Sequence, residues 1–168
     1  MTVIVMMGVS GVGKTTVGRR LAETLGWGYA EGDSYHPAAN VEKMRSGTPL
    51  EDADRWPWLR AMAADIDRWR AEGKGMVLAC SALKRAYRDI LIGDRPDVRL
   101  VQLTGEESLI RARIAARRHE YMPATLLISQ LATLEPPTAD EQPIVVDVRD
   151  APDDCVARIR AALDGVEA

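Results

Sequence analysis

Near its amino end the chain reads Gly8-Val9-Ser10-Gly11-Val12-Gly13-Lys14-Thr15, the spacing G-x-x-x-x-G-K-[ST]. Glycines let the backbone turn so that successive N–H groups face one centre, which favours an anion. If a helix begins at this point, the positive end of its dipole adds to that field. Lys14 then reaches the outer phosphates of a nucleotide, Thr15 offers a hydroxyl to Mg²⁺, and Thr16 closes the segment. A dinucleotide fold is the rival, because it also wants glycines here and an acid further on. A G-x-G-x-x-G frame starting at Gly11 would need glycine where Thr16 stands and would leave Lys14-Thr15 unused. A nucleoside triphosphate, ATP, fits better.

A phosphoryl donor needs an acceptor, and Glu31-Gly32-Asp33 supplies two carboxylates one residue apart. A carboxylate that accepts a hydrogen bond from an alcohol orients it toward the γ-phosphate and takes its proton as the new bond forms. Asp33 has that role on this reading; the simpler alternative is a cap on the turn toward Ser34. Glu31 is either an outer partner of magnesium-bound water or a solvated charge. Arg113 and Arg117, four apart, share a helix face, where their guanidinium groups either clamp the transferring phosphoryl or are merely solvated.

The elements that must hold these groups follow from periodicity. Apolar, β-rich runs recur at Val3–Met7, Trp27–Ala30, Met76–Cys80, Val98–Leu103 and Ile144–Val148. Helical spacing lies between them. Val17, Leu21 and Leu25 precede a Gly26 stop, and Leu59, Met62, Ile66 and Trp69 follow Pro57 in a first turn and end at Gly73. Leu83, Tyr87 and Leu91 suit a helix capped by Ser81, and Thr104 with Glu107 reads as a capping box before Ile110 and Ile114. A helix from Pro123 would bury Leu127, Leu131 and Leu134, and Val156, Ile159 and Leu163 mark the last one. Such alternation predicts an α/β fold with a parallel sheet, helices on both faces and ligands at the carboxyl ends of the strands. The polar, Arg-rich stretch from Arg111 to Met122 is expected to be a flap.

Composition agrees. At roughly 150 residues per domain, 168 residues make one domain. A net charge of −3 is the wrong sign for a protein held by nucleic-acid phosphates. The run Val3–Met7 is too short to span a bilayer, so the expected location is cytoplasmic, with no membrane partner. Cys80 and Cys155 have neither disulfide-framework nor zinc spacing and read as small core residues.

Beyond the cradle, several segments resemble the gluconokinases, small P-loop kinases related to shikimate and adenylate kinases. They are Gly32-Asp33-Ser34-Tyr35-His36-Pro37, Asn40-Val41-Glu42-Lys43-Met44 and Ser46-Gly47-Thr48-Pro49-Leu50, followed by Asp52, Asp54-Arg55 and Pro57-Trp58-Leu59. Cys80-Ser81-Ala82-Leu83-Lys84, Tyr87-Arg88-Asp89, Ser129-Gln130 and Thr133-Leu134-Glu135 continue the match over nearly the whole chain. The resemblance implies ATP-dependent phosphorylation of D-gluconate at its 6-hydroxyl. It implies the P-loop kinase fold, a five-stranded sheet of order 2-3-1-4-5 in one domain over 1–168, and a homodimer. A substrate-binding insertion at about 34–60 and a mobile lid at about 111–125 belong to the same expectation.

By the resemblance, Gly8–Thr15 match the ATP-binding segment and Asp33 the acid that meets the acceptor. Arg55 is similar to the substrate-anion arginine of shikimate kinases. Gluconate is a polyol with one carboxylate, so its pocket needs one cation and several neutral partners. Arg55 ranks first among the cations, ahead of Lys84, Arg88 and Arg45, with His36 and Ser81 as further substrate contacts. His119-Glu120-Tyr121 departs from the family's Gly-His-Phe, so no role passes to His119. Trp56, Trp58 and Trp69 read as core. Two alternatives are weighed. A kinase of another small acid such as shikimate would want a Gly-rich turn where Cys80-Ser81-Ala82 stands, and a nucleotide switch would want a D-x-x-G sensor that is missing.

Overall fold

The computed structural model describes residues 3–116 and 124–167. Five strands, β1 (Val3–Met7), β2 (Gly28–Glu31), β3 (Met76–Ala79), β4 (Val98–Thr104) and β5 (Ile144–Asp147), form one parallel sheet in the order 2-3-1-4-5. The helices are α1 (Lys14–Leu25), α2 (Ala38–Arg45), α3 (Asp52–Glu72), α4 (Arg85–Leu91), α5 (Glu107–Ala116), α6 (Ala124–Thr133) and α7 (Pro152–Glu167).

Strand geometry sends alternate side chains to opposite faces, and β1 shows both uses. Ile4 and Met6 pack with Val17 and Leu21 of α1 and with Val156, Ile159 and Leu163 of α7. Val3, Val5 and Met7 pack with Leu59, Met62, Ile66 and Trp69 of α3 and with Tyr87 and Leu91 of α4. Because β1 is central and covered on both sides, all five of its residues are fully buried. Truncating a core residue such as Ile66 to alanine costs about 2–5 kcal/mol. Both cysteines are free and buried, and burial pushes the Cys80 thiol up to about 12.

Helix boundaries follow local chemistry, and some differ from the periodicity. Gly26, at φ 69°, stops α1 as expected, its N–H bonding back to the helix carbonyls. Helix α3 starts earlier than its apolar stripe because the Asp54 carboxylate accepts the Glu51 N–H at 2.8 Å and nucleates a turn of polar residues. Pro57 therefore lies inside the helix rather than in its first turn. Ser81 does not cap α4, which opens after Lys84. Nor does Thr104 form a capping box: it ends β4, its carbonyl accepts the Val148 N–H, and α5 opens at Glu107. The apolar signal of α2 is too weak to announce it, yet Met44 and Asn40 are buried, and Asn40 Nδ2 donates to the Asp54 carbonyl at 2.8 Å. The expected flap is helical through Ala116 and again from Ala124; Arg117, His119 and Pro123 lie outside the described residues.

Candidate active site

The carboxyl ends of β1, β2 and β3 open into a cavity of about 170 Å³. Its floor is the cradle, Ser10, Gly11, Gly13, Lys14 and Thr15, between β1 and α1. Gly13 is the residue before α1 and has φ 107°, a left-handed conformation that glycine adopts without strain. Gly11, at φ 84°, has a second constraint, since a Cβ there would sit 2.5 Å from Ile114 Cγ1. The Lys14 ammonium donates to the carbonyls of Gly8 and Val9, at 2.8 and 3.1 Å, and so lies folded over the loop.

Thr15 and Glu31 are joined. The Thr15 hydroxyl donates to Glu31 Oε2 at 2.8 Å, and Tyr29 donates to the same oxygen at 2.6 Å. Burial and then the Glu31 contact push the Tyr29 phenol above its ordinary range, which keeps it protonated and donating. Gly18 makes room for that ring, since a Cβ there would stand 2.8 Å from Tyr29 Cε1. With its proton committed to Glu31, the Thr15 oxygen keeps its lone pairs for a cation, so this pair suits Mg²⁺ held on nucleotide phosphates.

Asp33 stands in a short 3₁₀ turn, Gly32–Tyr35, directly after β2. The turn is pinned by Trp58, whose indole N–H donates to the Gly32 carbonyl at 2.8 Å. Among the described residues the Asp33 carboxylate accepts no hydrogen bond; only its backbone carbonyl caps the turn, from the His36 N–H. The side chain is exposed and lines the cavity, available to an incoming hydroxyl.

His36 is held by a 4.2 Å stack on Trp58 and by Asn40 Nδ2 at 3.1 Å from its Nδ1. The amide is a donor, so Nδ1 accepts and Nε2 carries the proton. Burial, and then the Arg55 charge, lower its pKa to about 4, so the ring is neutral near pH 7. Arg55 donates from Nη1 to the Leu50 carbonyl at 2.8 Å and to the Tyr87 hydroxyl at 3.1 Å. Tyr87 in turn donates to Asp52. Ser81 lines the cavity too, and its carbonyl accepts the Gly8 N–H.

Asp33, His36, Arg55 and Ser81 thus meet the cradle in one space. Lys84 does not line it, because its ammonium is paired with Asp52 at 3.1 Å. Arg88 is also elsewhere: only 1% exposed, it is paired with Glu141 at 2.6 Å and donates to the Ala82 and Leu83 carbonyls, bracing the β3–α4 loop from below. Arg45 is exposed on α2 outside the cavity lining.

Arg113 does not face the acceptor side. Its guanidinium donates to the Val148 carbonyl at 2.7 Å and the Val12 carbonyl at 3.4 Å. It lines a second cleft of about 180 Å³ with Val12, Gly13, Thr16, Val148 and Pro152. Its four-residue spacing from Arg117 suggests a shared task; Arg113 is held by the β5–α7 turn, distant in sequence, with its guanidinium beside Gly13 of the cradle, and Arg117 lies outside the described residues.

Trp58 and Gln130 are cavity residues whose roles the sequence did not announce. Trp58 fits the apolar stripe of α3 and is 1% exposed, so it reads as core although its edge meets the turn and its face meets His36. Gln130 carries no charge and belongs to no spacing rule.

A parallel 2-3-1-4-5 sheet, a G-x-x-x-x-G-K-T cradle between its first strand and first helix, and an open carboxylate after its second strand define a P-loop kinase. A family profile described as an AAA domain matches residues 3–137. The gluconokinase of Gluconobacter oxydans is 51% identical over 151 residues, covering 89% of this chain and 84% of that protein. The probable gluconokinase of Xenopus tropicalis is 47% identical over 161 residues, covering 87% and 85%. A crystal structure of a sugar kinase from Janibacter sp. HTCC2649 superposes with a TM-score of 0.93 at 43% identity, covering 98% of this chain and 95% of that one. The chain belongs to the gluconokinase family.

Proposed function

We propose that the chain transfers the γ-phosphoryl group of ATP to the 6-hydroxyl of D-gluconate, giving 6-phosphogluconate and ADP. One observation carries this reading: the phosphate cradle, an uncommitted carboxylate and an arginine line a single cavity.

Gluconate lies with its carboxylate toward Arg55, whose guanidinium is braced by Leu50 and Tyr87, and its reacting end toward Asp33. The neutral His36 offers its Nε2 proton to a hydroxyl without adding charge. As the 6-oxygen bonds to the γ-phosphorus, the bond from phosphorus to the β,γ-bridging oxygen breaks and the hydroxyl proton passes to Asp33. Lys14 leaves its two carbonyls for the outer phosphates and spreads the charge that develops there. Mg²⁺ would be held by Thr15, with Glu31 behind it, and supplies further neutralisation of the phosphates.

In-line displacement puts the leaving ADP opposite the acceptor. The nucleoside therefore extends into the second cleft, where Arg113 and Pro152 flank a flat base. Arg117 would contribute from the lid at about 111–125, and the insertion at about 34–60 would carry the acceptor pocket of a single kinase domain. A homodimer and a cytoplasmic location complete the reading; among the described residues no helix is long and apolar enough to cross a membrane.

Incubation with ATP, Mg²⁺ and gluconate, followed by detection of 6-phosphogluconate, tests the proposal. Turnover of shikimate in place of gluconate, or ATP hydrolysis indifferent to either, refutes it.

A further inference from the structure

We propose that Gln130 on α6 recognises the acceptor hydroxyl next to the reacting one, and so sets which polyol acids the pocket accepts. The inference rests on the reading above and goes beyond it by assigning a specificity contact.

The Ser10 N–H, part of the cradle, donates to Gln130 Oε1 at 2.6 Å across 120 residues of sequence. A backbone N–H only donates, so the carboxamide atom facing it is oxygen, and the orientation of the group follows from chemistry. The amide nitrogen is left on the other side with two protons to give. Among the described residues no acceptor takes them, although Gln130 lines the same cavity as Asp33, His36 and Arg55. A donor anchored at the cradle and open to the cavity stands where the acceptor chain must bring its reacting end.

Arg55 faces the carboxylate end, His36 offers its proton to a hydroxyl beside that end, and Asp33 takes the proton of the reacting hydroxyl. The vicinal hydroxyl oxygen, nearest the cradle, also needs a donor, and Gln130 is the one anchored to the cradle itself. Gln130 supplies one that is neutral, so it neither repels the substrate carboxylate nor competes with Asp33 for a proton. A site built to hydrogen-bond a hydroxyl rejects the analogue that lacks it, because its own donor is then left unpaired.

The test compares gluconate with 5-deoxygluconate in the wild type, Gln130→Met and Gln130→Glu. Methionine keeps the volume and loses both hydrogen bonds; glutamate keeps an acceptor for Ser10 and loses the donor. The wild type is expected to prefer gluconate in kcat/KM by about fivefold to tenfold, the worth of one neutral hydrogen bond. Both variants are expected to lose that preference; in Gln130→Met the loss comes through a raised gluconate KM with ATP affinity by titration within about twofold, whereas Gln130→Glu also weakens ATP because its carboxylate stands beside the cradle. Gln130→Glu with the wild-type preference would reduce Gln130 to a tether between α6 and the cradle and overturn the proposal. A wild type indifferent to the 5-hydroxyl overturns it as well. Failure of the wild type to phosphorylate gluconate at all strikes the assigned reaction, a separate outcome.

Discussion

Arg55 and Tyr87, 32 residues apart, meet at 3.1 Å through the tyrosine oxygen, and the guanidinium carbon lies 5.4 Å from the same ring's centroid. Tyr87 therefore orients the cation that faces the cavity. Arg55→Ala should raise the gluconate KM by about 10- to 100-fold, the range for a charge-assisted hydrogen bond, with little change in ATP KM. Tyr87→Phe keeps the ring and loses the brace, so its gluconate KM should rise by less. Steady-state kinetics with each substrate varied in turn checks both.

Asp33→Asn keeps the shape of the turn and removes the proton acceptor. Turnover should fall by about 10²–10⁴-fold, while the urea midpoint stays near that of the wild type, because no hydrogen bond to the carboxylate is lost among the described residues. Near-normal kcat would remove Asp33 from the base role.

Arg113→Ala tests where the nucleotide base lies. With the guanidinium in the second cleft, the ATP KM should rise by about tenfold or more and the gluconate KM should hold. A fall in kcat with both KM values intact would return Arg113 to the transferring phosphoryl.

Much of this geometry could be read before any fold was known, and the exceptions have physical causes. Strands such as Val3–Met7 and Met76–Ala79 are continuous apolar runs because both faces are covered, so periodicity finds them. The cradle was legible because its chemistry is local, eight residues in a row. Lys84, Arg88 and Arg113 were candidates because a charge in a sequence does not declare its partner: Asp52, Glu141 and the Val148 carbonyl lie 32, 53 and 35 residues away. The same blindness hid Gln130, whose role rests on a backbone amide 120 residues distant.

His36 adds a pH dependence to stability. Unfolded, a histidine protonates near 6.5; in the fold, burial holds it to about 4. Between those values the unfolded chain binds more protons, so stability falls as pH drops through this window, by roughly 2–3 kcal/mol after allowing for partial exposure. Above the window His36 is neutral in both states and contributes no slope. His36→Gln should flatten this part of the curve when urea midpoints are compared at pH 6.5 and 4.5.

Glu141→Ala should destabilise the chain by about 3–5 kcal/mol, since it leaves the buried Arg88 without its counter-charge. Urea denaturation measures it. Glu141→Gln keeps an acceptor for Arg88 and should cost less.

The contact of Gly11 with Ile114 ties two distant stretches to a common fate. Any side chain at position 11 would collide with Ile114, so the cradle's middle glycine is required by its neighbour on α5 as much as by its own left-handed backbone. Drift at either position is coupled. An alanine at 11 calls for a shorter residue at 114, and the helix leading into the arginine-rich segment then loses the ridge that seats it on the loop.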